Sequence, residues 1–406
     1  MKLRLNKAVV VTAAGALLAA GVPLASMAST GAAATAKASY TIGVQAPFSG
    51  ADANYGAYIY GGVELAINAA NASHKYKFTL KPAKFDDQGS GSLSPAAAQR
   101  AVGTKNLVAV VGPAFSGASE AAAPYYKAAE VAEVSSSATA VALASGTNSN
   151  FFRTIADDSV QGKADADFLV KVKNVKNLLV ISDASFYGDG LAAVVAADAK
   201  ALGATVTTQQ IPNVSTGGGG VTTEYGPAAT AIATAAPGSI FYGGYSPDYG
   251  LLLSALSGAG YTASAHVIMS GDGSNSPALI TSTSPASAAN GTFLSEGASG
   301  KVSSLTGKLA TAFQKLTKIK ASVAEYAAQA YDATNAIIHA LVATKTPKKV
   351  TTTFRKEIIA NLHKVNFKGV TGQIAFKGSG DLKNDTGTSS ISEVDSGTIT
   401  FVQNEG

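Results

Sequence analysis

Residues 108–139 read VAVVGPAFSGASEAAAPYYKAAEVAEVSSSAT, and the order of apolar, small and polar residues in this stretch decides the fold class. The apolar run 108–111 predicts a strand, 120–129 a helix, and 131–134 a second strand. Each strand leads into a loop of small and hydroxyl residues. In open α/β sheets, ligands bind outside the carboxyl ends of parallel strands, where helix N-termini present free N–H groups. The sequence therefore predicts a binding edge at these two loops.

The same alternation of short strands and helices extends outward from this stretch. Strand patterns occur at 40–45, 78–85, 151–154, 178–182, 205–211, 240–242 and 266–269, with helical patterns between them. Such alternation is typical of parallel sheets with crossover helices. Ser94 followed by Pro95 predicts an N-cap and a first-turn proline, opening a helix at 96–105.

The length of the chain predicts two lobes, because 406 residues exceed one ordinary hydrophobic core. Helical patterns at 305–316, 323–341 and 352–363 have no long strands between them, so we expect them to return to the first lobe. We predict an α/β fold of two doubly wound parallel-sheet lobes joined by a multi-strand hinge. The expected N-terminal lobe is 40–157 with 297–372, and the expected C-terminal lobe is 158–296 with 373–406.

The first residues have the pattern of a secretory signal peptide. Lys2, Arg4 and Lys7 precede an uncharged apolar run at 8–22, and small residues follow it. We predict a signal peptide at 1–28 and a flexible lead-in at 29–39, with cleavage after residue 34 or 36 as open alternatives. A membrane anchor is the other interpretation, but the run is shorter than the ~20 residues that a span needs.

Composition excludes several classes of protein. The chain has no cysteine, which excludes disulfides, zinc–thiolate sites, thiol nucleophiles and a lipid-modified cysteine anchor. No cluster of Lys and Arg interleaved with aromatics follows the signal, so we expect no nucleic-acid partner. We therefore expect an exported protein, periplasmic or extracellular, without a lipid anchor.

Enzyme chemistry also lacks a sequence basis. The glycine run at 217–220 lacks the Lys-Ser/Thr of a phosphate loop, and no G-x-S-x-G occurs. The histidines have neither a nucleophile partner nor metal-ligand spacing; they are His74, His266, His339 and His363. We predict no catalytic residue, no metal site and no cofactor.

Several short blocks, in a fixed order, give the chain a family resemblance. They are Pro47-Phe48-Ser49-Gly50 with Tyr55-Gly56, Asp86-Asp87, Phe152-Arg153-Thr154 with Asp158 and Gln161-Gly162, Tyr187-Gly188-Asp189-Gly190, Tyr242-Gly243-Gly244-Tyr245, and Gly369-Val370-Thr371-Gly372. Their order and spacing resemble the leucine/isoleucine/valine-binding receptors of ABC importers. This resemblance covers nearly all of the chain after the signal, and it implies the type I periplasmic binding protein fold.

The resemblance implies that the ligand is an amino acid held by both lobes. Ser116 and Thr139 match the residues that hold the ligand's carboxylate, and the carbonyl of Ser137 would face its ammonium group. The physical setting agrees, since a helix N-terminus attracts an anion. From the second lobe, Tyr245 matches a hydroxyl donor to the carboxylate, and Asp272 matches the acid that pairs with the ammonium.

Asp272 is a departure, because Glu is the commonest residue of the family at that position, and the identity of the ligand stays open. Tyr55 and Tyr187 are expected to be walls of the pocket, with Tyr326 as a further candidate. Each of these residue types also has a common structural role that needs no ligand. Serines and threonines cap helices, tyrosines beside glycine turns cover sheet edges, and an aspartate beside glycine is common in turns.

The resemblance implies a binding protein whose two lobes close on an aliphatic, branched-chain-like amino acid. We expect a monomer that delivers this ligand to the permease subunits of an ABC transporter. The alternative is a sensor of amino acids, small amides or carboxylic acids that signals through a membrane receptor.

Overall fold

The computed structural model describes residues 37–145, 148–216, 219–297, 304–383 and 388–405. The predicted signal peptide, the lead-in up to residue 36 and part of the glycine run lie outside these residues. Among the helices of the described ranges, none is long and apolar enough to cross a membrane.

The first lobe is built on a five-stranded parallel sheet in the order β2-β1-β3-β4-β5. Its strands are β1 (Ala38–Ala46), β2 (Phe78–Asp86), β3 (Leu107–Val111), β4 (Ala132–Ser135) and β5 (Phe151–Arg153). The helices between them are α1 (Ala53–Ala72), α2 (Ser94–Val102) and α3 (Ser116–Ala128). Ile59, Val63 and Ile67 lie on one face of α1 and are buried, as their four-residue spacing predicts.

The N-cap prediction at Ser94 is wrong. Leu93 is the N-cap of α2, and Ser94 is the first helical residue. The Ser94 hydroxyl donates to the carbonyl of Ala118 at 2.6 Å and accepts from Nε2 of Gln45 at 2.6 Å. Because these partners lie on other elements, the hydroxyl joins α2 to α3 and β1 instead of capping its own helix.

The second lobe repeats the alternation with β6 (Asn177–Ser182), β7 (Thr205–Gln210), β8 (Ser239–Gly243), β9 (Val267–Ser270) and β10 (Phe293–Gly297). Its helices are α4 (Asp158–Asp167), α5 (Phe186–Ala201), α6 (Tyr225–Ala235), α7 (Ser246–Gly258) and α8 (Pro277–Ser282). These five strands pair in parallel. The parallel sheets of the two lobes confirm the predicted fold class.

The chain then returns to the first lobe with α9 (Gly307–Thr317), α10 (Ala327–Val342) and α11 (Thr352–Leu362). Helix α10 packs closely against α1: a Cβ added at Gly62 would lie 2.2 Å from the carbonyl oxygen of Ala327. A residue larger than glycine at that position would force the two helices apart. This contact attaches the returning segment to the first lobe.

The last strands complete the second lobe. A small antiparallel pair, β11 (Asn366–Lys368) and β12 (Gln373–Ala375), precedes β13 (Ser389–Asp395) and β14 (Thr398–Glu405). Strand β13 pairs antiparallel with β10, which gives a seven-stranded sheet in the order β14-β13-β10-β9-β8-β6-β7.

Arg153 ties together two of the segments that pass between the lobes. It is fully buried at the end of β5, and its Nε donates to Asp381 at 2.7 Å. Its Nη1 donates to the carbonyl of Ala140 at 2.9 Å. Charge-assisted hydrogen bonds of this kind are stronger than neutral ones, so Arg153 fixes the positions of the crossing segments.

Candidate functional site

A small cavity lies between the two lobes, at the carboxyl ends of β3, β4 and β9. Its volume is about 10 Å3, and a cavity needs roughly 10–15 Å3 to hold one water. Its lining residues are Tyr55, Ala114, Phe115, Ser116, Ser137, Tyr187, Tyr245, Asp272, Gly273 and Tyr326. All but one of the predicted ligand-binding residues are therefore brought together, and Thr139 is the exception.

The first lobe contributes the start of α3 to the cavity. Ser116 is the first residue of this helix, so the N–H groups of its first turn have no acceptor within the helix. The Ser116 hydroxyl accepts from the N–H of Ala140 at 3.2 Å, and the Ser137 hydroxyl donates to the carbonyl of Ala114 at 2.7 Å. These bonds hold the two hydroxyl loops side by side, with the positive end of the α3 dipole at the cavity.

The second lobe contributes Asp272, in the turn that follows β9. Oδ1 of Asp272 accepts from the Tyr187 hydroxyl at 2.6 Å, and Oδ2 accepts from the Tyr326 hydroxyl at 2.9 Å. Tyr187 belongs to α5 of the same lobe, whereas Tyr326 precedes α10 of the other lobe. Burial raises the pKa of Asp272, and the two tyrosine hydroxyls oppose that rise. The cavity thus has an acid at one end and a helix N-terminus at the other.

Hydrogen bonds between the lobes beside the cavity show that the lobes are closed. The Tyr55 hydroxyl donates to the carbonyl of Gly273 at 3.1 Å. One residue earlier, Nδ2 of Asn54 donates to the Ser276 hydroxyl at 3.0 Å. The first turn of α1 therefore rests directly on the second lobe.

Aromatic rings form a continuous wall around the cavity. Ring centroids are separated by 5.7 Å for Tyr326 and Tyr55, 5.8 Å for Tyr55 and Phe115, 4.5 Å for Phe115 and Tyr245, and 5.2 Å for Tyr245 and Tyr187. Because Tyr187 and Tyr326 both bind Asp272, the carboxylate closes the series into a ring. The arrangement encloses a compact, largely apolar space around one acid.

Thr139 lies behind the cavity and does not line it. It is buried, and its carbonyl accepts from the N–H of Asp158 at 2.9 Å. Burial raises the pKa of Asp158 well above its usual range, the nearby Asp272 adds to the rise, and the Thr139 hydroxyl opposes it. The structure thus places Thr139 next to an acid of α4 and outside the lining of the cavity.

Sequence reasoning missed three of the lining residues, Ala114, Phe115 and Gly273. Ala114 and Gly273 are neighbours of predicted residues. Phe115 had a signal of its own, because it is the one large side chain in the small-residue loop 112–119.

A second set of acids also lies between the lobes and was not predicted. Asp52, just before α1, is buried close to Asp183 and Asp248 of the second lobe. No group of three potential metal ligands occurs in the part of the chain that the structure describes.

The sequence matches a known protein family and several known binding proteins. The family described as periplasmic binding protein matches residues 39–396. A leucine-, isoleucine-, valine-, threonine- and alanine-binding protein of Pseudomonas aeruginosa is 26% identical over 349 residues, covering 84% of this chain and 87% of that protein. A Leu/Ile/Val-binding protein homologue of Brucella melitensis is 30% identical over 247 residues, covering 61% of this chain and 64% of that protein.

Solved structures share the fold over most of the chain. The branched-chain amino acid transporter substrate-binding protein LivJ of Streptococcus pneumoniae, in complex with isoleucine, has a TM-score of 0.76 at 25% identity and covers 90% of this chain and 99% of its own. A solute-binding protein of R. palustris in complex with benzoate has a TM-score of 0.72 at 17% identity, covering 90% and 96%. These relatives are solute-binding proteins, which confirms the expectation of a binding protein and not an enzyme.

Proposed function

Because this chain belongs to the periplasmic binding protein family, we propose that it is the exported receptor of an ABC importer and that its ligand is an aliphatic α-amino acid. One observation carries the choice of ligand: the cavity has Asp272 at one end and the N-terminus of α3 at the other. An α-amino acid carries a positive and a negative group, and these two ends match them.

The residues of the cavity then have distinct roles. The ligand's carboxylate accepts from the first-turn N–H groups of α3, next to Ser116. Its ammonium group pairs with Asp272, and the carbonyl of Ser137 is available to the same group. The Tyr245 hydroxyl serves the carboxylate from the second lobe. Thr139 does not contact the ligand in this proposal, and its carbonyl holds its loop against α4.

The remaining tyrosines link ligand binding to closure of the lobes. Tyr55 and Tyr326 come from the first lobe, and both bond to the second lobe at 272–273. A ligand that touches both lobes favours the closed state over the open one. In this proposal the permease recognises the closed form, and the protein works as a monomer outside the cytoplasmic membrane.

A calorimetric and thermal-shift panel of the common amino acids on the purified protein tests the proposal. The chain has no tryptophan, so calorimetry replaces indole fluorescence. We expect one-to-one binding, and ligand at 100 times its dissociation constant should stabilise the protein by about 2.7 kcal/mol. Neither heat nor a thermal shift with any amino acid would contradict the proposal.

Carboxylic acids without an ammonium group are the second ligand class, since the R. palustris protein holds benzoate on the same fold. Asp272 argues against them here, because a ligand that lacks a cation would leave that buried carboxylate unpaired. Benzoate and 4-hydroxybenzoate therefore belong in the panel as expected negatives. Transport is separated from sensing by uptake of labelled ligand in cells that lack this protein.

A further inference from the structure

Phe115 is the apolar ring in the wall of the cavity. The four other rings of that wall are tyrosines, and those of Tyr55, Tyr187 and Tyr326 use their hydroxyls in hydrogen bonds. Phe115 directly precedes Ser116, so its ring lies beside the N–H groups assigned to the ligand's carboxylate. With both charged groups of an amino acid fixed, its side chain must turn toward the remaining apolar wall, where Phe115 lies.

The Phe115 ring is held from several directions. It stacks on Tyr245 with centroids 4.5 Å apart and an interplanar angle of 25°, and it meets Tyr55 edge-on at 5.8 Å and 74°. The loop at Gly89 lies directly behind it: a Cβ added there would be 2.7 Å from two ring carbons. Gly89 has a φ of +71°, a backbone conformation that side chains disfavour. The Phe115 ring therefore has little room to move away from the cavity.

The loop behind Phe115 is itself fixed. The N–H of Gly89 donates to Oδ1 of Asp87 at 3.0 Å, and Oδ2 of Asp87 accepts from Nε2 of Gln45 in β1 at 3.0 Å. All three residues are buried. A ligand that pushed Phe115 outward would have to move this bonded loop away from the sheet.

The space in front of Phe115 is small. The cavity of about 10 Å3 is close to the size that one water requires. Forcing extra methylenes into a packed space is destabilising. Every α-amino acid is larger than one water, so the walls must move apart to admit any of them, and each methylene of a side chain directed at Phe115 adds to the displacement.

We propose that Phe115 sets the upper size limit of the ligand's side chain, and that the preferred ligand is a compact α-amino acid of the size of glycine or alanine. This inference rests on the proposed function, because it assumes that the cavity holds an α-amino acid. It narrows that function from aliphatic amino acids in general to the smallest of them.

Calorimetry with a graded series of ligands tests the size limit. The series is glycine, alanine, 2-aminobutyrate, valine and leucine, measured on the wild type, Phe115→Ala and the conservative variant Phe115→Tyr. One methylene in an apolar pocket changes affinity by roughly 10–200-fold, so the wild type should bind alanine at least about tenfold tighter than leucine. Phe115→Ala should reverse that order, and Phe115→Tyr should keep it.

Each outcome bears on one of the two proposals. Wild-type protein that binds leucine as tightly as alanine, or Phe115→Ala that keeps the wild-type order, would overturn the size limit while leaving the receptor function intact. No binding of any amino acid by any of the three proteins would overturn the receptor function itself. Circular dichroism checks the fold, and Phe115→Leu replaces Phe115→Ala if the latter does not fold, with a smaller shift in the same direction expected.

Discussion

The two lobes meet at two buried aspartates whose surroundings are opposite. Asp272 comes from the second lobe, and both of its carboxylate oxygens accept tyrosine hydroxyls, one from each lobe. Asp52 comes from the first lobe and is 1% exposed, and its carboxylate oxygens accept no hydrogen bond from any described residue. The first contact draws the lobes together, while the second brings an unpaired acid into the closed interface.

The neighbours of Asp52 make its position less favourable still. Asp248, across the interface, accepts from the N–H groups of Val214 at 2.7 Å and Ser215 at 3.2 Å and from the Tyr225 hydroxyl at 2.6 Å. These bonds hold the Asp248 carboxylate in place. Burial, together with the charges of Asp248 and Asp183, raises the pKa of Asp52 to about 7. Asp52 is therefore best accommodated in its neutral form.

When the lobes close, the two buried aspartates need different partners to neutralise their charge. Asp272 lies in a cavity where a ligand's cation can reach it, so a ligand can neutralise its charge. Asp52 lies outside that cavity, so a proton must do the same. Closure is thus expected to depend on the ligand at one contact and on pH at the other.

Removing Asp272 should have the largest effect. Asp272→Ala leaves the ligand's buried ammonium group without a partner, a loss of about 2–5 kcal/mol at desolvated charge pairs. Affinity should fall roughly thirtyfold to several thousandfold, as measured by calorimetry. Asp272→Asn is the matched control, since it keeps the shape and removes the charge, and it should lose most of the same affinity.

The thermal stability of the ligand-free Asp272→Ala protein should change much less, because the open lobes expose this residue to water. Wild-type affinity in Asp272→Ala would remove the residue from the site. A large loss of stability with unchanged affinity would make it an ordinary turn aspartate.

Two tyrosine variants separate the contributions that the two lobes make to the contact at Asp272. Tyr326→Phe and Tyr187→Phe each remove one hydroxyl from Asp272, and hydrogen bonds to charged groups contribute about 1.5–3 kcal/mol. Tyr326 joins opposite lobes, so its loss should weaken ligand binding about tenfold to a hundredfold and shift the ligand-free protein toward the open form. Tyr187 bonds within its own lobe, open or closed, so Tyr187→Phe should leave the open–closed balance nearly unchanged.

Small-angle scattering with and without ligand measures that balance through the radius of gyration. Equal radii of gyration for the two ligand-free variants would contradict the division of roles. An unchanged radius of gyration in the wild type at saturating ligand would contradict closure itself.

Asp52→Asn should change how the stability of the protein depends on pH. The pKa of Asp52 is raised from 3.8 to about 7 in the folded protein, so between these values the folded state binds one more proton than the unfolded state. The contribution of Asp52 is fully present below its unfolded pKa and is lost as the pH rises toward 7. The slope is about 1.4 kcal/mol per pH unit.

Denaturant unfolding of wild type and Asp52→Asn from pH 4 to 9 measures this difference, because the other buried acids are common to both proteins. The advantage of the variant should grow up to about pH 7 and then stay constant. Asn54→Ala is the control, because it removes the nearby bond to Ser276 without removing a titrating group and should change stability by a similar amount at every pH. Parallel profiles for wild type and Asp52→Asn would refute the assignment.

The sequence by itself determined the fold and most of the residues that line the cavity. Periodicity and loop composition in 108–139 predict a parallel sheet with two hydroxyl loops at one edge, and Ser116 and Ser137 lie there because strand ends in such a sheet share that edge. Tyr187, Tyr245 and Asp272 were predicted from the resemblance to the leucine/isoleucine/valine-binding receptors, through short blocks that each contain glycine. Short blocks of this kind can be recognised in the sequence without knowledge of contacts between distant segments.

Tertiary structure decided what depends on several distant segments at once. The confinement of Phe115 requires the loop at Gly89. The raised pKa of Asp52 results from burial and from the charges of acids in the other lobe. Thr139 follows the predicted strand as expected, yet its carbonyl bonds to the first residue of α4 and it does not line the cavity. Volume and pKa are sums over all neighbouring atoms, and most of those neighbours come from parts of the chain far away in sequence, so no local pattern encodes them.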